Sequence, residues 1–312
     1  MSNSTTIKNK LRSVGLAPRK SLGQNFLSDD DVARKIVRFA GIKPTDIAVE
    51  IGPGIGALTR HLAQFARHVI AIEIDRNLIP LLEQELSDVT NVTILQADAL
   101  EVDYARVIRE AGGDETTPVR VVGNLPYYIT SMMIRRILES HINTQAVVLT
   151  VQLEVAERMT ALPGDMSLLA VGVQVYGKPE LLMKLDPSVF YPQPEIDSAV
   201  VRIIPQGRIE HTVELFDLAR AGFSQKRKQM RNTISAGLRI AKPDVDELLN
   251  GANIDPTRRA ETLSIPEWAH LADNYVSHGY SIARTKRSDN LESDSDNNSD
   301  VAEPNTANST EA

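Results

Sequence analysis

The stretch EIGPGIGALT, residues 50–59, decides how this chain folds. The apolar run DIAVEI (46–51) leads into it, a helical pattern follows at 57–66, and HVIAIEID (68–75) supplies a second strand. Strand, glycine loop, helix and strand within about 30 residues form the βαβ unit of a nucleotide-binding half-fold. Gly52, Gly54 and Gly56 let the backbone turn sharply and approach a ligand closely. Glu73 ends the second strand, where a carboxylate can accept from both hydroxyls of a ribose. The loop also satisfies the looser GxGxxA form of a dinucleotide fingerprint, so a nicotinamide oxidoreductase stays open beside a methyltransferase. Glu50 favours the methyltransferase, because a carboxylate there suits the amino-acid end of a sulfonium cofactor and repels a pyrophosphate.

Working outward, NLIPLLEQEL (77–86) reads as a helix, VTILQAD (92–98) as a third strand and VRVVGN (119–124) as a fourth. TSMMIRRILE (130–139) is helical, AVVLTVQ (146–152) is a fifth strand and LEVAERMTA (153–161) a helix, with β-like runs at 168–177 and 198–205. This alternation predicts a parallel sheet covered on both faces. Upstream, Ser28 caps a helix through VARKIVRFA that Gly41 ends, with acids on the positive end of its dipole. Beyond Pro205–Gly207 only helices are predicted: 213–238, 243–252 and 264–276, the last opened by Ser264 and Glu267 in capping-box spacing. Four regions follow: a loose basic arm (1–19), a Rossmann-like α/β domain (20–205), a smaller all-helical domain (206–285) and an acidic tail (286–312) too polar to build a core and expected to be disordered.

The 312 residues are 42% hydrophobic and 24% charged, with no cysteine and a net charge of −7. Disulfides, cysteine-based zinc sites and cysteine nucleophiles are excluded, and six histidines without HxH or HExxH spacing argue against a metal centre. The N-terminal MSNSTTIKNK lacks the apolar core of a secretory signal and no run is long enough to span a membrane, so a cytoplasmic protein is expected. Seven acids and two bases beyond residue 285 put −5 of the charge in the tail. The remainder is nearly neutral and carries basic clusters at 8–20 and 226–239, which read either as solvated faces or as patches for nucleic-acid phosphates.

Two further features carry chemistry. Asp98 ends the third strand, where an acid either holds an adenine amino group of a cofactor or simply caps a helix. NLPY (124–127) lies at the carboxyl end of the fourth strand, where open α/β sheets bind ligands. An exocyclic adenine amine is a poor nucleophile, its lone pair being delocalised into the ring, and it needs acceptors for its two N–H groups. Asn124 offers a side-chain oxygen, the next carbonyl offers another, Pro126 fixes the turn and Tyr127 provides a stacking face. A methyl then passes in line from sulfonium to nitrogen, helped by positioning and desolvation.

Ordered blocks over about residues 18–275 resemble a known family: KSLGQNFL (20–27), EIGPGIGALT (50–59), AIEID (71–75), QADAL (96–100), GNLPYYI (123–129), VFYPQPEIDSAVV (189–201), FSQKRKQMRN (223–232) and RRAETLS (258–264). The chain is identified as a member of the ribosomal RNA small-subunit adenine dimethyltransferases, the KsgA (RsmA) family. The resemblance implies S-adenosyl-L-methionine as cofactor, held by Asn25, Leu27, Gly52, Gly54, Glu73, Asp98 and Asn124. It implies that Phe190 stacks on the target adenine opposite Tyr127, and that the product is N6,N6-dimethyladenosine at two adjacent adenosines in the hairpin near the 3′ end of 16S rRNA. The expected partner is the immature 30S subunit, met by a monomer with a role in subunit biogenesis. Lys226, Arg227, Lys228 and Arg231, expected on one helix face, would dock on rRNA phosphates. Leu125, where many single-methylating enzymes carry proline, would leave room for a monomethyl intermediate. Two rivals are a large-subunit rRNA methyltransferase of the resistance type and a non-catalytic assembly factor. Glu195 departs from the family's usual lysine, and the acidic tail has no counterpart in the pattern.

Overall fold

A computed structural model of the chain describes residues 3–125 and 129–280, which belong to one compact unit. The expected acidic tail, Pro126 and Tyr127 lie outside the described residues. The first elements are helix α1 (Asn3–Ser13), strand β1 (Phe26–Leu27) and helix α2 (Asp30–Ala40). The expected loose arm is therefore partly a helix. Ile7 and Leu11, one turn apart, are buried against Phe26, Ile55, Leu78 and Leu81, and Lys10 pairs with Glu85 at 2.6 Å. Asp29, not Ser28, caps α2 by accepting from Val32 N, while the Ser28 hydroxyl donates to the Val189 carbonyl. Gly41 closes α2 at φ 60°, as its sequence position predicts.

The α/β succession runs β2 (Ile47–Ile51), α3 (Thr59–Ala63), β3 (His68–Glu73), α4 (Ile79–Glu85), β4 (Val92–Gln96), α5 (Tyr104–Glu110), β5 (Val119–Asn124), α6 (Thr130–Leu138), β6 (Thr144–Gln152) and α7 (Leu153–Met159). It continues with α8 (Leu168–Gln174), β7 (Gly177–Leu185), β8 (Phe190–Tyr191) and β9 (Ser198–Pro205). Seven strands form one sheet in the order β4-β3-β2-β5-β6-β9-β7, and β1 pairs with β8 in a small second sheet. The pairs among β4, β3, β2, β5 and β6 are parallel, but β9 runs antiparallel to both neighbours. The expectation of a wholly parallel sheet is corrected there. Insertion of the last strand between its predecessors also departs from the all-parallel 3-2-1-4-5-6 dinucleotide order. The order of strand addition switches sides between the parallel neighbours β2 and β5, so the ligand crevice opens where Gly52 follows β2 and Asn124 ends β5.

Alternation along β2 fixes both faces of the sheet. Ile47, Val49 and Ile51 join Val121, Val147 and Val201 on one side; Ala48 joins Val69, Val122, Val148 and Val200 on the other. Burial on both faces explains the continuous apolar runs. Residues 168–177, read as β-like, instead give helix α8, because Ala170, Val171 and Val175 form a helical stripe against the C-terminal core. The edge strand β7 behind it, with lysine and glutamate in its exposed positions, carries only the short apolar run Leu181–Met183 and was not expected.

C-terminal residues form α9 (Thr212–Phe223), α10 (Met230–Leu238), α11 (Lys242–Gly251) and α12 (Ile265–Ser277) around Trp268, Leu271, Met230 and Leu249. The single helix expected over 213–238 is broken at 224–229. The two halves fold onto each other closely enough that a Cβ at Gly237 would stand 2.8 Å from the Ala221 Cβ, and one at Gly222 would stand 2.8 Å from the Trp268 ring. The capping box is present: Ser264 Oγ accepts from Glu267 N, and the Glu267 carboxylate accepts from Ser264 N at 2.7 Å. Because Leu11 is 2% exposed, Leu11→Ala should cost about 2–4 kcal/mol in urea unfolding and speed proteolysis near residue 13. A variant indistinguishable from wild type in both assays would mean that α1 is not docked.

Candidate active site

The crevice at the strand switch is a cavity of about 330 Å³, within the range of small-molecule sites. Gly52, Gly54 and Gly56 have φ of 69°, 58° and 84°, the left-handed region in which other residues are strained. Gly54 has a second constraint, since a Cβ there would meet the Phe26 ring at 2.9 Å. The turn places residues 50–55 on the cavity wall, facing Asn124 and Leu125 at the end of β5. Parallel pairing of β2 with β5 sets Ile51 opposite Gly123, so Gly52 lies level with Asn124, its Cβ position 3.7 Å from the Asn124 carbonyl oxygen.

Two buried carboxylates dominate the electrostatics. Glu73 is 4% exposed; Oε2 accepts from Gly54 N at 3.0 Å and Oε1 from Asp75 N at 2.9 Å. Burial raises its pKa above the ordinary carboxylate value against these bonds. Its second lone pairs remain for ligand hydroxyls. Glu50 is 1% exposed, and burial pushes its pKa up to about 8, partly offset by the neighbouring Thr59 hydroxyl. Glu50 Oε2 has no hydrogen-bond partner among the described residues. A buried carboxylate oxygen left unpaired is costly unless a ligand completes it, and a cation does so best. Asp98 also lines the cavity; Oδ1 accepts from Leu100 N at 2.9 Å, leaving the other oxygen for a donor.

Asn124 is oriented by a segment far away in sequence. Its Nδ2 donates to the Asn25 carbonyl at 2.7 Å, which commits the amide nitrogen and leaves the amide oxygen as the group's acceptor. Asn25 and Leu27 stand on the same cavity wall. Leu125, 3% exposed, donates its N–H to the Thr150 carbonyl at 3.3 Å and turns its side chain into the sheet core beside the cavity. Thus Asn25, Leu27, Gly52, Gly54, Glu73, Asp98, Asn124 and Leu125 come together. Phe190 does not: it is 2% exposed, pairs with Leu27 and packs against Val200 and Val189. Sequence reasoning missed Ile129, Met132 and Met133, which wall the cavity from the start of α6; the apolar Ile129 and the Met132–Met133 pair close after NLPY were the available signal.

The basic residues separate into two kinds. Lys226, Arg227 and Lys228 are exposed in the turn between α9 and α10, not on a helix face, and form no ion pair among the described residues. Arg231 instead pairs with Asp246 of α11 at 2.5 Å. Arg227 and Lys228 border an open groove with Gln229, Asn232 and Arg259, so Arg259 joins them from a distant loop.

The fold and this cavity define a nucleotide-type methyltransferase site, with a glycine turn, a hydroxyl-binding acid and a fixed asparagine at one strand switch. The family model described as ribosomal RNA adenine dimethylase matches residues 15–272, and the chain belongs to that family. "Ribosomal RNA small subunit methyltransferase A" of Dehalococcoides mccartyi (strain CBDB1) is 43% identical over 273 residues, 86% of this chain and 92% of that one. The protein of that name from Alkaliphilus metalliredigens is 45% identical, covering 81% and 90%. Among solved structures, a dimethyladenosine transferase from Plasmodium falciparum superposes with a TM-score of 0.71 at 26% identity, covering 81% and 98%. The 23S rRNA methyltransferase ErmE gives 0.63 at 27%, covering 80% and 99%.

The enzyme is an rRNA adenine dimethyltransferase that uses S-adenosylmethionine, and the residues present fit that group. The orphaned Glu50 oxygen suits its cationic amino-acid end, Glu73 suits hydroxyls and Asp98 a donor. Because Glu50 carries its proton in the folded state between its unfolded value near 4.5 and about 8, apo stability should fall as pH rises through that window. A bound cation should favour the ionised form, so binding S-adenosylhomocysteine near neutral pH should release about one proton. Calorimetry in buffers of different ionisation enthalpy reads this directly; Glu50→Gln should abolish the release, and an unchanged release would assign it elsewhere.

Proposed function

We propose that this chain dimethylates N6 of two adjacent adenosines in the hairpin near the 3′ end of 16S rRNA, acting in the cytoplasm as a monomer on immature 30S subunits and contributing to their assembly. The observation that carries the reading is the Asn124 amide, held by the Asn25 carbonyl at the mouth of the cavity that takes the methyl donor. The donor supplies an electrophilic methyl. Asn124 accepts one N–H of the adenine amine through its side-chain oxygen, drawing nitrogen density toward the methyl as the amine becomes tetrahedral. Leu125, Met132 and Met133 exclude water from the reacting centre and leave an apolar space that a first methyl occupies without an unsatisfied polar neighbour. Residues of the NLPY turn outside the described set, Pro126 and Tyr127, are assigned turn fixation and base stacking. Phe190 is assigned the opposite stacking face, which on this reading it offers after leaving the apolar cluster that buries it.

The names carried by the bacterial relatives support a small-subunit target over the large-subunit one named for ErmE. Lys226, Arg227, Lys228 and Arg259 are assigned to rRNA phosphates. Arg231, already neutralised by Asp246, is assigned to holding α10 on α11 beneath them.

Asn124→Ala should lower methyl transfer to small-subunit rRNA by about a hundredfold or more, with thermal stability and subunit binding retained. Mass spectrometry of the rRNA product checks it, and wild-type turnover would remove the role given to Asn124. Reversing charge at Arg227 and Lys228 should weaken subunit binding and shallow its salt dependence by about two phosphate contacts. A change confined to cofactor affinity would refute the docking assignment.

A further inference from the structure

We infer that Asp75 is a positioning residue that latches residues 19–27 as a strap across the cofactor cavity and so holds the carbonyl that orients Asn124. The inference rests on the catalytic role proposed for Asn124 and adds the element that fixes it.

Asp75 lies two residues beyond Glu73, and its side chain is 3% exposed. Its carboxylate receives four donors. Gln24 Nε2 approaches Oδ2 at 2.9 Å; Arg19 Nη1 approaches Oδ1 at 3.3 Å; Asn77 N and Nδ2 approach Oδ1 at 3.1 and 3.0 Å. Burial works against the anion, but the Gln24 and Asn77 hydrogen bonds and the Arg19 charge outweigh it and hold the pKa below the ordinary value. A carboxylate this well partnered stays charged and acts as a fixed anchor at neutral pH.

The anchored partners close the segment on itself. Gln24 Oε1 accepts from Arg19 N at 2.8 Å, and a single 3₁₀ turn (Lys20–Leu22) ends at Gly23 in the left-handed region. Both side-chain ends of Gln24 are thereby used. The next residue is Asn25, whose carbonyl takes the Asn124 Nδ2; then Phe26 lies against the glycine loop and Leu27 pairs with Phe190. Residues 22–27 all line the cavity. The strap has two attachments, the β1–β8 pair at its far end and Asp75 at its near end, with Asn25 between them. Asp75 also donates its own N–H to Glu73 Oε1, so one residue braces the hydroxyl-binding acid and the strap together. An Arg19 side chain half exposed to solvent contributes little alone, which leaves the Gln24–Asp75 bond as the principal near-end tie.

The test uses the full chain with Gln24→Ala, Asp75→Ala, the double variant and Asp75→Glu. Three readouts are taken: calorimetric Kd for S-adenosylhomocysteine, hydrogen exchange at the 25–27 amides, and kcat on small-subunit particles at saturating cofactor. Both single variants should raise Kd about tenfold, accelerate exchange at 25–27 and lower kcat about tenfold. The double variant should be no worse than Asp75→Ala, because both substitutions release one strap. Asp75→Glu, which keeps the carboxylate, should recover part of kcat. Unchanged exchange at 25–27, or single effects that multiply in the double variant, overturns the latch. If Asp75→Ala does not fold, Gln24→Ala decides the matter, since Gln24 sits at the half-buried edge. Kd and exchange involve no RNA, so a wrong rRNA target would show as absent turnover in every variant, wild type included, while these two readouts still report the strap.

Discussion

One hydrogen bond, from the Asn124 amide to the Asn25 carbonyl, makes the site depend on two parts of the chain that share no local structure. An asparagine amide can rotate, and its oxygen and nitrogen offer opposite chemistry to an amine. Committing the nitrogen to a main-chain acceptor resolves that ambiguity before any substrate arrives. On the role proposed for Asn124, pre-orientation of this kind lets a poor nucleophile react without a covalent intermediate on the enzyme, the sulfur–methyl bond breaking as the nitrogen–methyl bond forms and the cationic amine then giving its surplus proton to solvent. The remaining architecture serves the same end. The sheet sets the height of Asn124 beside the glycine turn, and the N-terminal segment supplies the fixed acceptor.

The buried acids show what the cavity selects for. Glu50 and Glu73 lie within one low-dielectric pocket, where burial raises the cost of ionising each and the Glu73 charge adds to that of Glu50. Such a pocket is poorly suited to a diphosphate and well suited to a ligand with positive charge. That electrostatic preference separates this site from a dinucleotide site more sharply than the glycine spacing does, and the antiparallel β9 separates the folds.

Much of this was legible from residue pattern. The glycine turn, Glu73, Asp98 and Asn124 sit at strand ends, which apolar runs reveal, and strand ends are where a parallel sheet binds ligands. The strand over 119–124 and the capping box at Ser264 appeared where local chemistry put them. What escaped was set by tertiary contact. Helix α8 reads as a strand because Leu-Leu-Ala-Val-Gly-Val is apolar on every side, and only packing against Trp268 and its neighbours selects the helical stripe. The break at 224–229 lets Gly237 come close to Ala221, a tertiary contact that no local signal announces. Arg231 looked equivalent to Arg227 until Asp246 of another helix neutralised it. The burial of Phe190 by the pairing of β1 with β8 joins segments that no local signal connects.

The paired acids have a kinetic consequence as well. On the proposed reading, adding two methyl groups to each of two neighbouring adenosines takes four transfers, and each needs a fresh donor. Every transfer converts a charged sulfur into a neutral thioether. Glu50 and Glu73, suited to the amino-acid end and the hydroxyls, meet the same groups on the spent molecule, so their hold on it persists. The two acids thus grip reagent and remnant through shared groups, so the pace of successive transfers depends on how readily the remnant leaves before fresh donor enters.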